Sequence, residues 1–186
     1  MDEQVLSREA IVTEARAMLG EVGLNGISLR KLAARVGVRA PSLYWYFKDK
    51  NALLEGMLEQ IFNSCLDAMA EHRHWRDWMR AFGQALLRTQ AETPDFGRLT
   101  TTTALTEACF SQTMARIREK LSGLDMPLDA AVELQSAVQA LITGWSDFAH
   151  APYAGLLRRE IDLEDVALRS LDALIAGWSW EEQKSW

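Results

Sequence analysis

Apolar positions recur at helical spacing along nearly the whole chain, interrupted at a few Gly, Pro and Asn-Gly punctuation points. Ile11, Ala15, Met18, Leu19 and Val22 share one face of a helix predicted over 7–22, with Ser7 as its N-cap. Gly23 and Asn25-Gly26 end it. Ser28 caps a short second helix whose inward face is Leu29, Leu32, Ala33 and Val36, and Gly37 stops it as a left-handed C-cap. Pro41 suits the first turn of a third short helix running to about Phe47, because a proline lacks the N–H that would find no partner there. Asp49 caps a long fourth helix reaching about Glu71, with Leu53, Leu54, Met57, Leu58, Ile61 and Phe62 as its stripe. Further helices are predicted at about 75–92, 95–102, 104–122, 128–149 and 162–178, and the tail from Ser179 to Trp186 is expected to fray unless Trp180 and Trp186 dock.

Composition agrees with an all-α chain. The 186 residues are 48% hydrophobic, with only 11 Gly and 4 Pro, enough for a sizeable core. No apolar run approaches the ~18 residues that span a bilayer. Met1-Asp2-Glu3-Gln4 lacks the basic region of a secretory signal, so a cytoplasmic, non-membrane protein is expected. Cys65 and Cys109 lie far apart, outside any CxxC spacing, and are expected as buried free thiols. No phosphate-cradling glycine loop, HExxH or nucleophile elbow is present, so no catalytic residues, metal or cofactor are assigned and the chain is not read as an enzyme.

Charge is unevenly spread. Net charge is −6, yet residues 1–50 hold eight basic and six acidic side chains, leaving −8 for the remainder. Arg30, Lys31, Arg35, Arg39, Lys48 and Lys50 cluster in the second and third helices and just after them. Beside them runs Leu43-Tyr44-Trp45-Tyr46-Phe47. At about 100° per residue, Leu43 and Phe47 share the inward face, Trp45 points almost opposite, Pro41 shares its side, and Tyr44 and Tyr46 flank it. Helix, glycine turn and short helix form a helix-turn-helix, and outward rings beside Arg and Lys suit contact with a DNA backbone.

The run Ser28-Leu29-Arg30-Lys31-Leu32-Ala33-Ala34-Arg35-Val36-Gly37-Val38-Arg39-Ala40-Pro41-Ser42-Leu43-Tyr44-Trp45-Tyr46-Phe47-Lys48-Asp49-Lys50 resembles the DNA-binding domain of the tetracycline-repressor (TetR) family. It combines R-K-L-A, a G-V turn, P-S-L-Y and F-K-x-K-x-x-L-L in order. The resemblance implies homodimers on a palindromic duplex operator, and a helical C-terminal part that binds a small-molecule effector and thereby releases DNA. By position it implies that Arg30 reads a guanine edge and that Pro41 and Ser42 touch base edges or thymine methyls. It assigns phosphates to Ser28, Tyr44, Tyr46 and Lys50, and backbone packing to Trp45. Two positions depart from the tetracycline repressors: Ala40 stands where they have an adenine-reading glutamine, and Arg39 where they have an acid. A different operator follows, with Arg39 as a contact of its own. Leu66 stands where those repressors have a drug-holding histidine, which argues against tetracycline as effector.

The fold expected is therefore an N-terminal three-helix helix-turn-helix domain (residues 1–50) and a larger helical ligand-binding and dimerisation domain (residues 51–186). Ser136, Ala140 and Gly144 recur every four residues, and with Leu171, Leu174, Ile175 and Trp178 they are the candidates for a four-helix dimer interface. Candidates for an effector pocket are Trp78, Phe82, Arg88, Phe96, Thr103, Glu107, Phe110 and Met114, although stripes of this kind also build plain core. The function expected is a ligand-responsive transcriptional regulator acting as a repressor. The alternative is a small-molecule carrier or protein-interaction module with a vestigial DNA-binding head.

Overall fold

The computed structural model describes residues 6–180, and all of its regular elements there are helices. The first four are α1 (Arg8–Gly26), α2 (Leu29–Arg35), α3 (Ala40–Tyr44) and α4 (Lys50–Asp67). They are followed by α5 (Trp75–Glu92), α6 (Phe96–Thr102), α7 (Glu107–Leu121), α8 (Leu128–Ala149), α9 (Ala154–Leu157) and α10 (Leu163–Gly177). None is long and apolar enough to cross a membrane.

By packing, the chain divides into two compact units. One holds the residues up to Ser64 together with Ala91–Ser111, and the other holds Cys65–Gln90 with the residues from Gln112 onward. Segments 51–64 and 91–111 therefore pack with the N-terminal helices.

In the first unit the predicted stripes meet in one core. Ile11, Ala15, Leu19, Leu32, Leu43, Phe47, Leu53 and Met57 are at most 1% exposed, and Leu99 of α6 joins them. Val22 departs from its predicted inward face and is 47% exposed. The chain breaks helical geometry at Gly23 (φ 66) and then resumes for a last turn to Gly26, so α1 is longer than the periodicity indicated. The break turns Leu24 inward, to 4% exposure.

A buried carboxylate anchors α4 in this unit. Glu55, 7% exposed, accepts hydrogen bonds from the Thr106 N–H and hydroxyl, both at 2.6 Å, just before α7. Burial works to raise its pKa, but the two Thr106 bonds, the Cys109 thiol and the Arg8 charge together bring it below the ordinary carboxylate value.

In the second unit, α5, α8 and α10 contribute Trp78, Phe82, Leu86, Leu134, Val138, Ile142, Leu171 and Ile175 to a separate interior. Trp78 and Phe82 stack with ring centroids 5.2 Å apart, and Arg80 pairs with Asp172 at 2.7 Å. Trp180 does dock, edge-on to Trp75 at 5.6 Å, while Trp186 lies outside the described residues. Both cysteines are free and buried, and burial pushes the Cys65 thiol pKa up.

Candidate nucleic-acid interface

The outward-facing end of the first unit is built by local chemistry. Ser28, in extended conformation, accepts from the Lys31 N–H at 3.2 Å and so starts α2. At the other end Val38 N–H bonds Ala33 O (3.0 Å) and Gly37 N–H bonds Ala34 O (3.4 Å). That is the paired closure of a Schellman motif, and it needs the left-handed φ of 74 that Gly37 adopts without a Cβ penalty. Four residues after Gly37, Pro41 sits in the first turn of α3. The helix is short, yet Tyr46 and Phe47 N–H groups still bond Leu43 O, at 3.0 and 2.9 Å, and hold the aromatic run in one more turn.

The aromatics sort as the wheel predicted. Leu43 and Phe47 are 0% and 1% exposed, whereas Tyr44, Trp45 and Tyr46 are 56%, 90% and 38% exposed. An indole that open contributes nothing to the monomer's core. Phe47 is covered on one face by the Arg8 guanidinium, 5.0 Å from the ring centroid.

The six cations separate into structural and free ones. Arg35 is held by Glu21 (2.6 and 2.8 Å) and by Glu14 (3.0 Å), pinning α2 to α1. Its hydrogen bonds to Glu21 and then Glu14 drive its pKa higher still, and the Arg35 hydrogen bond lowers that of Glu21. Lys31 donates to Gly26 O and Lys50 to Leu24 O, each at 3.1 Å, so both cap the C-terminal end of α1. Arg30, Arg39 and Lys48 are exposed and make no ion pair among the described residues. Arg39 is the N-cap residue of α3 and Ala40 its first residue, half-buried, with Pro41 exposed and Ser42 half-buried beside it.

Tyr46 already has a hydrogen-bond partner within the chain. Its hydroxyl donates to Leu6 O at 2.7 Å, so as held here the O–H is spent inside the chain. Lys50 and Ser28 each have a structural bond, but the ammonium keeps two further donors and the Ser28 hydroxyl keeps its proton.

Sequence reasoning missed the clamp behind this surface. Asp95, in the left-handed region (φ 56), directs Oδ2 to the Leu24 N–H at 2.8 Å. Arg98 reaches Asn25 Oδ1 at 2.9 Å and lies 3.7 Å from Asp95. The turn joining α1 to α2 is thus gripped from the start of α6. The Thr-Pro-Asp run showed a helix start, but nothing local pointed to a partner 71 residues away.

The other candidates divide. Trp78, Phe82, Arg88 and Met114 belong to the second unit, and Phe96, Thr103, Glu107 and Phe110 to the first. Phe96 packs on the first unit's core, and the Thr103 hydroxyl donates to its own helix at Leu99 O, so both have structural places. Trp78 and Phe82 are core, Arg88 and Glu107 are exposed, Met114 is half-buried and Phe110 is 56% exposed. Of the dimer candidates, Ser136, Ala140 and Gly144 form an exposed row on α8. Leu174 and Trp178 are half-buried, whereas Leu171 and Ile175, each 1% exposed, are already covered by the chain itself and offer no free surface.

A Schellman-closed turn between two short helices, with an open indole after the second and exposed cations around it, defines a helix-turn-helix protein. Residues 11–57 match the sequence model of the bacterial regulatory proteins of the tetR family. It is 38% identical over 88 residues to the tetracycline repressor protein class C of Escherichia coli, a match covering 44% of this chain and 40% of that protein. It spans less than half the length of such curated relatives. A TetR variant of Acinetobacter baumannii AYE, solved in complex with minocycline, superposes with a TM-score of 0.71 at 25% identity, covering 92% of this chain and 96% of that one. The Streptomyces coelicolor TetR family protein ActR, solved with actinorhodin, has a TM-score of 0.70 at 18% identity over 92% of this chain and 96% of that one, a likeness of fold.

Proposed function

We propose that this chain is a ligand-responsive transcriptional repressor that binds a palindromic DNA operator as a homodimer. The observation that carries the proposal is Trp45, 90% exposed on a helix whose opposite face is fully buried. Around it Arg30, Arg39 and Lys48 are exposed and make no ion pair among the described residues. In this reading residues 1–50 contact DNA and residues 51–186 bind ligand and dimerise. Arg30 reads a guanine edge, Pro41 and Ser42 meet bases, and Ser28, Tyr44 and Lys50 hold phosphates. Arg39 adds a contact, and Ala40 leaves its base to be read by size alone. The Ser136, Ala140 and Gly144 row supports dimerisation, since a Cβ at Gly144 would meet nothing within 4 Å in the single chain. A two-fold pair then spaces two α3 helices by about 34–36 Å or a multiple, matching successive major grooves. The effector is a small apolar or amphipathic molecule, supported by relatives that are repressors and by neighbours solved with minocycline and actinorhodin.

The test is selection of bound duplexes from a random library, followed by fluorescence anisotropy with wild type and Trp45→Ala. Trp45→Ala is preferred to Lys50→Ala because it removes no internal hydrogen bond. Affinity should fall at least tenfold with thermal stability unchanged. Wild-type protein that binds no duplex even at low salt would instead favour the carrier reading.

A further inference from the structure

The interior of the second unit contains a short polar row. Along α5, Trp78, Phe82, Leu86 and Gln90 follow one another at four-residue steps and all are buried, Gln90 to 1% exposure. Gln90 Nε2 donates to Thr143 Oγ1 of α8 at 2.9 Å. Its other half, Oε1, is buried with no hydrogen-bond partner among the described residues. On α8, Thr143 continues a row with Gln139 and Gln135. Gln135 is 2% exposed and donates to Gln139 Oε1 at 3.0 Å. These groups are neutral amides and a hydroxyl, with no ionised side chain in the row.

An amide oxygen closed off from water without a donor is unfavourable, and a leucine of similar size would avoid that cost. An amide in such a place is ready to take a hydrogen bond from a ligand that enters the interior. The absence of an ionised group in the row selects against a charged ligand end, which would be buried without compensation. The Trp78–Phe82 stack and Leu86 on the same helix face favour a flat apolar body.

We infer that Gln90, held by Thr143, is the polar anchor of a ligand site in the second unit. The ligand is a neutral, largely aromatic molecule that donates one O–H or N–H to Gln90 Oε1. This inference rests on the ligand-binding reading above and gives that ligand its chemistry. It also moves the polar anchor away from Arg88 and Glu107, the charged residues picked out in the sequence.

Two probes of nearly equal size test it: 2-naphthol, which has a donor, and 2-methoxynaphthalene, which has none. Each is titrated calorimetrically into the full chain and into Gln90→Leu and Gln90→Met. The wild type should bind 2-naphthol about tenfold tighter, because a site built for a donor discriminates against its loss. Both variants should bind the two probes equally, and their ligand-free unfolding temperatures should be no lower than wild type. Equal binding by the wild type, binding of neither probe, or a preference that survives in the variants would overturn the inference. So would loss of folding in both variants, which would show the amide to be structural. Operator binding is measured separately: 2-naphthol binding by a chain that has no operator would leave this site standing and remove the repressor reading, while operator binding by a chain that ignores both probes would do the reverse.

Discussion

The Asp95 clamp can be dissected by replacing one residue in three ways. Its carboxylate makes a charge-assisted bond to the Leu24 N–H at 2.8 Å, of a kind that contributes about 1.5–3 kcal/mol. The 3.7 Å pairing with Arg98 is half-exposed and adds less than about 1 kcal/mol. The backbone at φ 56 is one that Asp and Asn tolerate and Gly adopts freely, whereas alanine there costs about 1–2 kcal/mol. Asp95→Asn keeps an acceptor and the backbone preference and should lose under ~1 kcal/mol. Asp95→Gly loses the bond but not the conformation, about 1.5–3 kcal/mol. Asp95→Ala loses both, about 2.5–5 kcal/mol. Denaturant unfolding reads the order Asn, Gly, Ala. Because the gripped turn leads directly into Ser28 and Arg30, operator affinity measured by anisotropy should fall in the same order, about tenfold or more for alanine, since each 1.4 kcal/mol of misplacement costs a factor of ten. If glycine destabilises more than alanine, the argument from backbone conformation is wrong. Should Asp95→Ala bind operator as tightly as wild type, the clamp stabilises the fold without positioning the DNA-facing surface.

Three further predictions follow from single features. Arg39→Ala should weaken operator binding and reduce the slope of log affinity against log salt by about 0.9, the share of one phosphate contact; an unchanged slope would place Arg39 off the backbone. Glu55 is held below its ordinary pKa of 4.5, so its contribution is fully present above that pH and is lost as pH falls through the depressed native value. Glu55→Gln should therefore cost roughly 1–3 kcal/mol at neutral pH and flatten the acid limb of stability measured by urea titration; a parallel acid limb in wild type and variant would refute this. Ala140→Arg should convert a dimer to a folded monomer in sedimentation velocity and weaken binding to a two-half-site operator far more than to a single half-site.

What could be read in the sequence was whatever is decided within a few residues. Ser7, Ser28 and Asp49 cap where expected, because an Oγ or Oδ reaches an N–H three residues on by local geometry. Leu43 and Phe47 face in and Trp45 faces out, because a four-residue step nearly closes a helical turn. Groups that act across the fold left no local trace. Glu55 looks like one more polar residue on a long helix until Thr106, 51 residues away, is brought to it. Gln90 was passed over among the candidates on α5, though Trp78 and Phe82 share its face. The helical turn after Gly23 was missed because a glycine ends a pattern whether or not the chain resumes it. The short α9 was missed because a four-residue helix carries too little periodicity to register.

These long-range polar groups bear on how a ligand could act at all. An effector releases DNA only by as much as it binds the released form better than the DNA-competent form, and a tenfold loss of operator affinity requires about 1.4 kcal/mol of such preference. Apolar stacking on a preformed wall adds to both forms alike and changes nothing. A hydrogen bond to a buried amide oxygen is different, because it forms in full only when donor and acceptor are aligned to within a few tenths of an ångström. Supplying a missing partner to Gln90 Oε1 is worth about 1–3 kcal/mol in an arrangement that permits alignment and nearly nothing in one that does not. A single donor on the ligand is therefore of the size needed for induction, and a molecule of the same shape without that donor should bind and fail to induce.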